Sequence, residues 1–345
     1  MTDIRLSICI PTFNFGAFIG ETLASIVKQP LTGVEIVILD GASTDDTAEV
    51  VGRAQMTCAN IKYHLLSERG GIDRDMARVV ALASGCYCWL FSGDDLMREG
   101  AIDRVLQLIR TESDVYLCRH TMCTIEMAVL SERDVLAAPA EVTFDLQDER
   151  EKAIYCQKAI TTEAFFSFLG GIVVKTSKWG SVGLNDAYIG SCWAHVARLF
   201  ELMPNGLTVT YVPEVLLDRR GDNDSFADRG VVNRYRIAVE GYHRIAEDFL
   251  GGGSRLAFHV RRVLRNEFGL RMFLYANLRC YLDPERESRT LLTRLIRQTY
   301  CDAPIHGALI ELVCRVMPGK VYCWLRNTYR GVRSWQQRFQ ACRRL

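Results

Sequence analysis

No run of about 18 uncharged apolar residues occurs in the 345-residue chain, so no segment reads as a helix that spans a bilayer. The opening MTDIRLSICIP lacks a basic region leading into a long apolar one, so it does not read as a secretory signal, and a cytosolic location is expected. Net charge is nearly missing too. Lys and Arg number 42 against 41 Asp and Glu, which leaves the molecule as a whole without a polyelectrolyte bias. No basic stripe crosses the central region, which argues against a nucleic-acid partner. Zinc-type spacing is absent among the 13 cysteines: Cys86 and Cys88 sit one residue apart in a strand-like run and read as packing residues, and without export the thiols stay reduced. The first strand runs into PTFNFG and lacks the Gly-x-Gly-x-x-Gly phosphate turn, which disfavours a dinucleotide oxidoreductase. Internal repeats and low-complexity segments are lacking as well.

What is present is enough apolar material for a sizeable core, 49% of the residues, with an ordinary 24% charged. The length suits one large domain and a smaller appendage. Leu6–Pro11, Val34–Asp40, Ile61–Leu66, Cys86–Phe91 and Asp114–Cys118 read as strands. Helical spacing falls between them, over Phe15–Val27, Thr44–Arg53, Asp73–Ser84 and Gly100–Arg110. Alternation of this kind predicts an α/β fold with a mostly parallel sheet covered by helices. Residues 119–165 read as loop and short helix. Phe165–Val174 reads as a strand region, Gly190–Leu202 as a helix and Leu207–Val212 as a strand. From Val231 on the pattern is helical, broken by Gly and Pro, so a first domain is expected over residues 1–230 and a helical region over 231–345.

In doubly wound sheets ligands bind beyond the carboxyl ends of the strands. Four strands here end in polar clusters: Pro11-Thr12-Phe13-Asn14, then Asp40 to Asp46, then Glu68 to Asp75, then Ser92-Gly93-Asp94-Asp95. Each alone is a good turn or cap, and their joint occurrence at one edge is what a nucleotide site needs. Adjacent carboxylates at a buried strand end repel each other. Hard Mg²⁺ or Mn²⁺ would relieve that cost, and the alternative is a cap for the following helix.

The motifs SICIPTFN, VEIVILDGASTDDT, RGGIDRDM and WLFSGDD, in this order over residues 6–100, resemble a family-two glycosyltransferase of the GT-A (Rossmann-like) fold. The likeness is firm over about the first 120 residues and looser to about residue 230. It implies transfer of a sugar from a nucleoside-diphosphate donor to an acceptor hydroxyl. It also implies that Pro11, Thr12 and Asn14 lie at the nucleoside, Asp40 at the base or ribose, and Gly71 with Asp73 or Asp75 at the ribose or diphosphate. Asp94 is then the metal ligand, with Asp95 beside it in the metal and catalytic set. Arg220, in the basic and polar segment Arg219–Phe226, would clamp phosphate, although Gly221-Asp222-Asn223-Asp224 is also good turn chemistry.

The chain departs from the family in two places. Ser92 holds the first acidic position of the Asp-x-Asp motif. Gly190-Ser191-Cys192-Trp193-Ala194-His195 stands where the family has Glu-Asp before an aromatic, the acid being the general base of inverting members. His195, one turn into the helix, or Asp186, from the preceding loop, is left to take the acceptor proton. The other reading of His195 is a hydrogen-bonded helix residue. Trp193 is either a platform for an acceptor sugar ring or a core aromatic. GGIDRDM, GSCWAHVAR and RRGDNDSF together resemble abequosyltransferase-type enzymes of bacterial O-antigen assembly, which use a CDP-activated dideoxyhexose and a lipid-linked acceptor. Residues 320–345 carry seven Lys or Arg and no acid. With Trp324 and Trp335 they suit an anionic membrane surface, so peripheral attachment at the inner face of the cytoplasmic membrane is expected beside the plainer reading of a packed basic helix. A non-catalytic sugar-nucleotide-binding subunit of a polysaccharide assembly system is the alternative that the two departures leave open.

Overall fold

The computed structural model describes residues 3–223 and 229–317. They fall into two compact units, one of residues 3–223 with His243–Val263 and the other of residues 229–242 with 264–317. The first unit holds the whole sheet. Its strands are β1 (Leu6–Thr12), β2 (Val34–Asp40), β3 (Ile61–Leu65), β4 (Tyr87–Leu90), β5 (Leu96–Met97), β6 (Val115–Cys123), β7 (Val129–Arg133), β8 (Val142–Asp145), β9 (Ile172–Lys175) and β10 (Thr208–Arg219). The helices of the first 210 residues are α1 (Gly16–Val27), α2 (Thr47–Gln55), α3 (Ile72–Ala81), α4 (Ala101–Leu108), α5 (Glu149–Lys158), α6 (Thr176–Trp179) and α7 (Ala194–Leu202).

Spatial order is β3-β2-β1-β4-β9-β6-β10-β5, with β7 paired to β6 and β8 to β10. The β1/β2, β2/β3, β1/β4 and β6/β10 pairs are parallel, while β9 runs antiparallel between β4 and β6. This is the GT-A arrangement: a mostly parallel sheet with helices packed on it. Every residue of β2 is buried, as expected for a strand covered on both faces. Even Glu35 is buried there, held by Ser7 Oγ at 2.6 Å, the Ser84 amide at 2.6 Å and Lys62. On α1, Ile19, Leu23 and Ile26 recur at helical spacing and are buried, each contributing about 1.5–3 kcal/mol of transfer free energy.

Residues 119–165 are more regular than expected. β6 runs on to Cys123, returns through β7, and β8 and α5 follow. Charged, exposed edge positions in Val129–Arg133 hide the strand from a hydrophobic-pattern reading. α7 starts only at Ala194, because Gly190 (φ 82°) and Cys192 (φ 70°) break the helix expected from residue 190. The second unit is helical: part of α8 (Val231–Leu250) and of α9 (Arg255–Glu267), then α10 (Leu270–Leu282), α11 (Arg289–Thr299) and α12 (Pro304–Val316). In it the buried Glu287 carboxylate accepts the Val231 and Val232 amides at 2.7 and 2.8 Å and so caps α8.

Candidate functional site

The C-terminal ends of β1, β2 and β4 lie side by side in register, Thr12 opposite Asp40 and Cys9 opposite Leu90. Past β1 the chain turns through Asn14, which takes φ 57°. Its amide donates to Ser43 Oγ at 2.8 Å and its Oδ1 accepts the Thr44 amide at 2.8 Å, so Asn14 ties the β1 and β2 turns together. Asp40 is fully buried. Its two oxygens accept the Ser43 amide and the Tyr63 hydroxyl, both at 2.7 Å. Both atoms are therefore used in shaping the turn that a base or ribose would meet.

Asp75 comes into the same crevice from α3. A Cβ on Gly41 would lie 3.0 Å from its carboxylate and 3.5 Å from the Thr12 carbonyl, and a Cβ on Gly70 would lie 2.2 Å from it. Burial raises the Asp75 pKa, opposed by Arg78, 3.7 Å away. Asp75 Oδ1 and the Thr12 hydroxyl are buried and make no hydrogen bond. An unpaired donor at the end of β1 and an unpaired acceptor on α3 are costly unless something fills them. Gly71 sits at the start of α3 with φ 81°, a conformation that favours glycine.

Asp73, two residues before Asp75, does something different from what the motif implies. Its carboxylate accepts the Gly190 and Cys192 amides at 2.8 and 3.0 Å and the Ala194 amide at 3.1 Å. It caps α7 and fixes the Gly190–Ala194 turn. With three backbone donors on its two oxygens, it anchors that turn. Burial raises its pKa against those hydrogen bonds.

Beyond β4, Ser92 Oγ donates to Asp94 Oδ1, and Asn223 Nδ2 donates to Asp94 Oδ2 at 2.9 Å. Asp95 is 2% exposed and accepts the Arg220 amide at 2.9 Å. Burial first, and the Asp94 charge second, push its pKa up to about 8. Two adjacent buried carboxylates, one of them held protonated mainly by its burial, are oxygen ligands of the kind that a hard divalent cation would take. Among the described residues no three His, Cys, Asp or Glu side chains gather to bind a metal by themselves.

Arg220 departs from the expected phosphate clamp. Its guanidinium is spent inside the protein: Nε donates to the Asp94 carbonyl at 2.8 Å, and one terminal nitrogen to the Ile125 carbonyl at 2.5 Å. The other pairs with Glu21 at 2.6 Å, and the whole group lies over the Phe18 ring. Arg220 braces the acidic turn from behind.

The candidate bases separate. His195 is partly buried, with Nε2 3.1 Å from the Phe166 carbonyl; burial lowers its pKa to about 4, so the imidazole is neutral and Nε2 carries the donated hydrogen. Asp186 is exposed on a 3₁₀ turn. Trp193 is 6% exposed and packs into the interior, so it offers no open platform for a sugar ring. Pro11 sits in the β1 ladder opposite Leu39, one residue before its end.

A second charged group escaped the sequence reading. Glu163 is buried, with Arg219 at 3.6 Å, Arg133 at 3.7 Å and His120 at 3.8 Å. Burial alone would raise Glu163, but Arg133, His120 and Arg219 outweigh it and hold the carboxylate ionised. Burial lowers the His120 pKa to about 4. Arg219, next to Arg220, carried a usable signal; Thr-Thr-Glu in a loop carried none.

Polar strand ends on a GT-A sheet, with a carboxylate pair beside them, suit a glycosyltransferase, and the comparisons agree. Residues 7–167, just under half of the chain, match the family model described as glycosyl transferase family 2, and the chain is a glycosyltransferase whose first half is similar to that family. An abequosyltransferase of Salmonella typhimurium is 29% identical over 287 residues, covering 80% of this chain and 84% of that protein. A Campylobacter jejuni β-1,3-glucosyltransferase named for a polyprenol-diphosphate-linked glycan is 31% identical over 104 residues, 30% of this chain and 34% of that one. Among solved structures, residues 1–349 of S. aureus TarS with UDP-GlcNAc superpose with a TM-score of 0.57 at 18% identity, over 95% of this chain and 92% of that one. A Pyrobaculum calidifontis mannosyltransferase with GDP-Man and Mn²⁺ gives 0.52 at 17% identity, over 90% and 87%.

Proposed function

We propose that this enzyme moves a sugar from a nucleoside-diphosphate donor to a hydroxyl of a lipid-linked saccharide, as a step in bacterial surface-polysaccharide (O-antigen) synthesis. The observation that carries the reading is that two buried polar atoms, Thr12 Oγ1 and Asp75 Oδ1, make no hydrogen bond, Thr12 Oγ1 being packed beside Gly93 in the turn that bears Asp94 and Asp95. The nucleoside lies against Thr12, Asn14, Asp40 and Asp75. Asp94 and Asp95 would hold Mg²⁺ or Mn²⁺, which would neutralise charge on the diphosphate. The acceptor oxygen attacks the anomeric carbon, the bond to the diphosphate oxygen breaks with its electron pair, and a base takes the hydroxyl proton. His195 meets one requirement of that base, a neutral ring with Nε2 engaged and Nδ1 as the acceptor.

The abequosyltransferase relative, similar over most of both chains, supports a CDP-activated dideoxyhexose as donor. The glucosyltransferase named for a polyprenol-linked glycan supports a lipid-linked acceptor. In this reading residues 1–230 carry the chemistry and 231–345 face the acceptor or membrane. The basic segment 320–345, which would attach the protein to an anionic inner leaflet, lies outside the described residues. Among the described residues no helix is long and apolar enough to cross a membrane.

Thermal-shift measurements with CDP-, UDP-, GDP- and dTDP-sugars and Mn²⁺ test the donor, and a clear shift with the CDP-sugar alone is expected. Asp94→Ala should abolish transfer with the fold intact. Unchanged turnover in that variant would remove the carboxylate pair from the reaction.

A further inference from the structure

The helix α12 is apolar on two sides. Its inner face seats Gly307, Ile310 and Cys314, which are buried. A Cβ on Gly307 would lie 3.0 Å from the Tyr300 side chain, and the Cys314 carbonyl accepts Asn277 Nδ2 of α10 at 3.0 Å, so this face is packed. On the opposite face stand Ile305, Leu309, Leu312 and Val316, within a sector of about 60° at the 3.6-residue period of a helix. They are 74%, 55%, 52% and 63% exposed. The outward side of a surface helix is ordinarily polar, and a helix apolar all round belongs in a core or in lipid. Four aligned aliphatic side chains in water mark a surface that something covers.

Charge and length decide what covers it. Glu311 is the one acid of α12, and Arg297 of α11 holds it with two hydrogen bonds. Arg315, exposed in the last turn of α12, is then in surplus. Four residues past Val316 the sequence enters residues 320–345, with seven Lys or Arg and no acid. A second copy seated on the ridge about a two-fold axis would bring two such segments together, and like charges repel. An anionic lipid surface meets the aliphatic ridge and the positive charge at once. At 13 residues α12 is about 20 Å long, too short to cross a hydrocarbon core of ~30 Å, so it would lie along the surface.

We propose that the Ile305, Leu309, Leu312 and Val316 ridge of α12 seats this enzyme on an anionic bilayer, with the four side chains among the acyl chains and Arg315 at the lipid phosphates. This deepens the reading of a lipid-linked acceptor and rests on it, since an enzyme whose acceptor is held in a membrane works at that surface.

Flotation of the full-length protein with phosphatidylcholine vesicles, containing or lacking phosphatidylglycerol, tests this. The wild type should bind the anionic vesicles at least about tenfold more tightly. Leu309→Asp should weaken that binding about 10–100-fold, since it loses one inserted leucine and places a charge there. Because the ridge faces outward, thermal unfolding of this variant without lipid should match the wild type. Leu309→Trp should keep the binding, and its fluorescence should move to the blue with anionic vesicles by more than that of the wild type. Wild-type vesicle affinity in both Leu309→Asp and Leu312→Asp overturns the inference. A thermal midpoint lowered by those substitutions without lipid, or a dimer that they dissociate in sedimentation velocity, also overturns it, because protein would then cover the ridge. Thermal shift with nucleotide sugars is read separately. A shift without vesicle binding ends the membrane inference and leaves the donor reading standing, whereas vesicle binding without a shift counts against the donor reading.

Discussion

Asp95→Asn should stabilise the protein while removing its activity. The side chain is 2% exposed, and burial with the Asp94 charge lifts its pKa from 3.8 to about 8. The native state therefore keeps a proton there that the unfolded chain gives up near pH 4. Such a group is destabilising in proportion to how far the pH stands above the unfolded value. The penalty is absent below about pH 4, grows by about 1.4 kcal/mol per unit, and levels off near pH 8. At pH 7 the full shift amounts to about 4 kcal/mol, and relaxation of the turn with some entry of water reduces the expected figure to about 2 kcal/mol. Asparagine keeps the Oδ1 acceptor for the Arg220 amide, 2.9 Å away, and never titrates. Thermal unfolding without divalent cation should place the variant above the wild type by roughly 4–8 °C at pH 7 for a unit of this size, with the gap closing toward pH 4–5. Mn²⁺ with pyrophosphate should then raise the wild type more than the variant. A variant less stable than the wild type by the same margin at both pH values would refute the argument, because the loss would then be of packing and not of charge.

Asp73→Ala leaves three amides of the Gly190–Ala194 turn without their acceptor; a loss of about 3 kcal/mol is expected in thermal unfolding, with pyrophosphate affinity of the folded protein within about twofold of wild type. Burial holds His120 and His195 neutral down to about pH 4, whereas the unfolded chain protonates them near 6.5. Their contribution is lost as pH falls from 6.5 to 4, opposite in sign to Asp95, so stability should peak near pH 6. His195→Gln should flatten the acid limb in denaturant titrations at pH 4.5–6.5. Gly221→Ala would put a Cβ 2.4 Å from the Cys123 carbonyl, a backbone atom that cannot swing aside, and should cost about 1–3 kcal/mol in urea unfolding.

The strand ends were legible because they combine two independent signals. A buried parallel strand is an unbroken apolar run, and polar residues straight after it have few reasons to be there. Asp40, at the end of β2, and Asp94 and Asp95, just after β4, follow that rule and lie at one edge of the sheet. What could not be read was the partner of each side chain. Asp73 and Asp75 stand two apart on α3, about 200° around the axis, so one motif sends them to different destinations. The first of the amides that donate to Asp73 lies in a turn 117 residues later in the chain, and nothing local announces it.

Arg219 and Arg220 make the same point at the other end of the sheet. As letters they are interchangeable, and the phosphate role falls on either. Arg219, the last residue of β10, lies beside Glu163, while Arg220, the first residue past the strand, pairs with Glu21 of α1. Which of the two braces the acidic turn depends on the β10 register, and that register shifts between Val212 and Leu217 along the pair with β6. A shift of one residue exchanges the faces of every residue after it. Moving the irregularity, by deleting one residue between Val212 and Leu217, would therefore exchange the two arginines. The expected result is a protein whose acidic turn is braced by the wrong side chain and whose pyrophosphate affinity falls even though both guanidinium groups remain. Retention of full affinity in a folded deletion variant would show that strand register does not select the arginine that braces the turn.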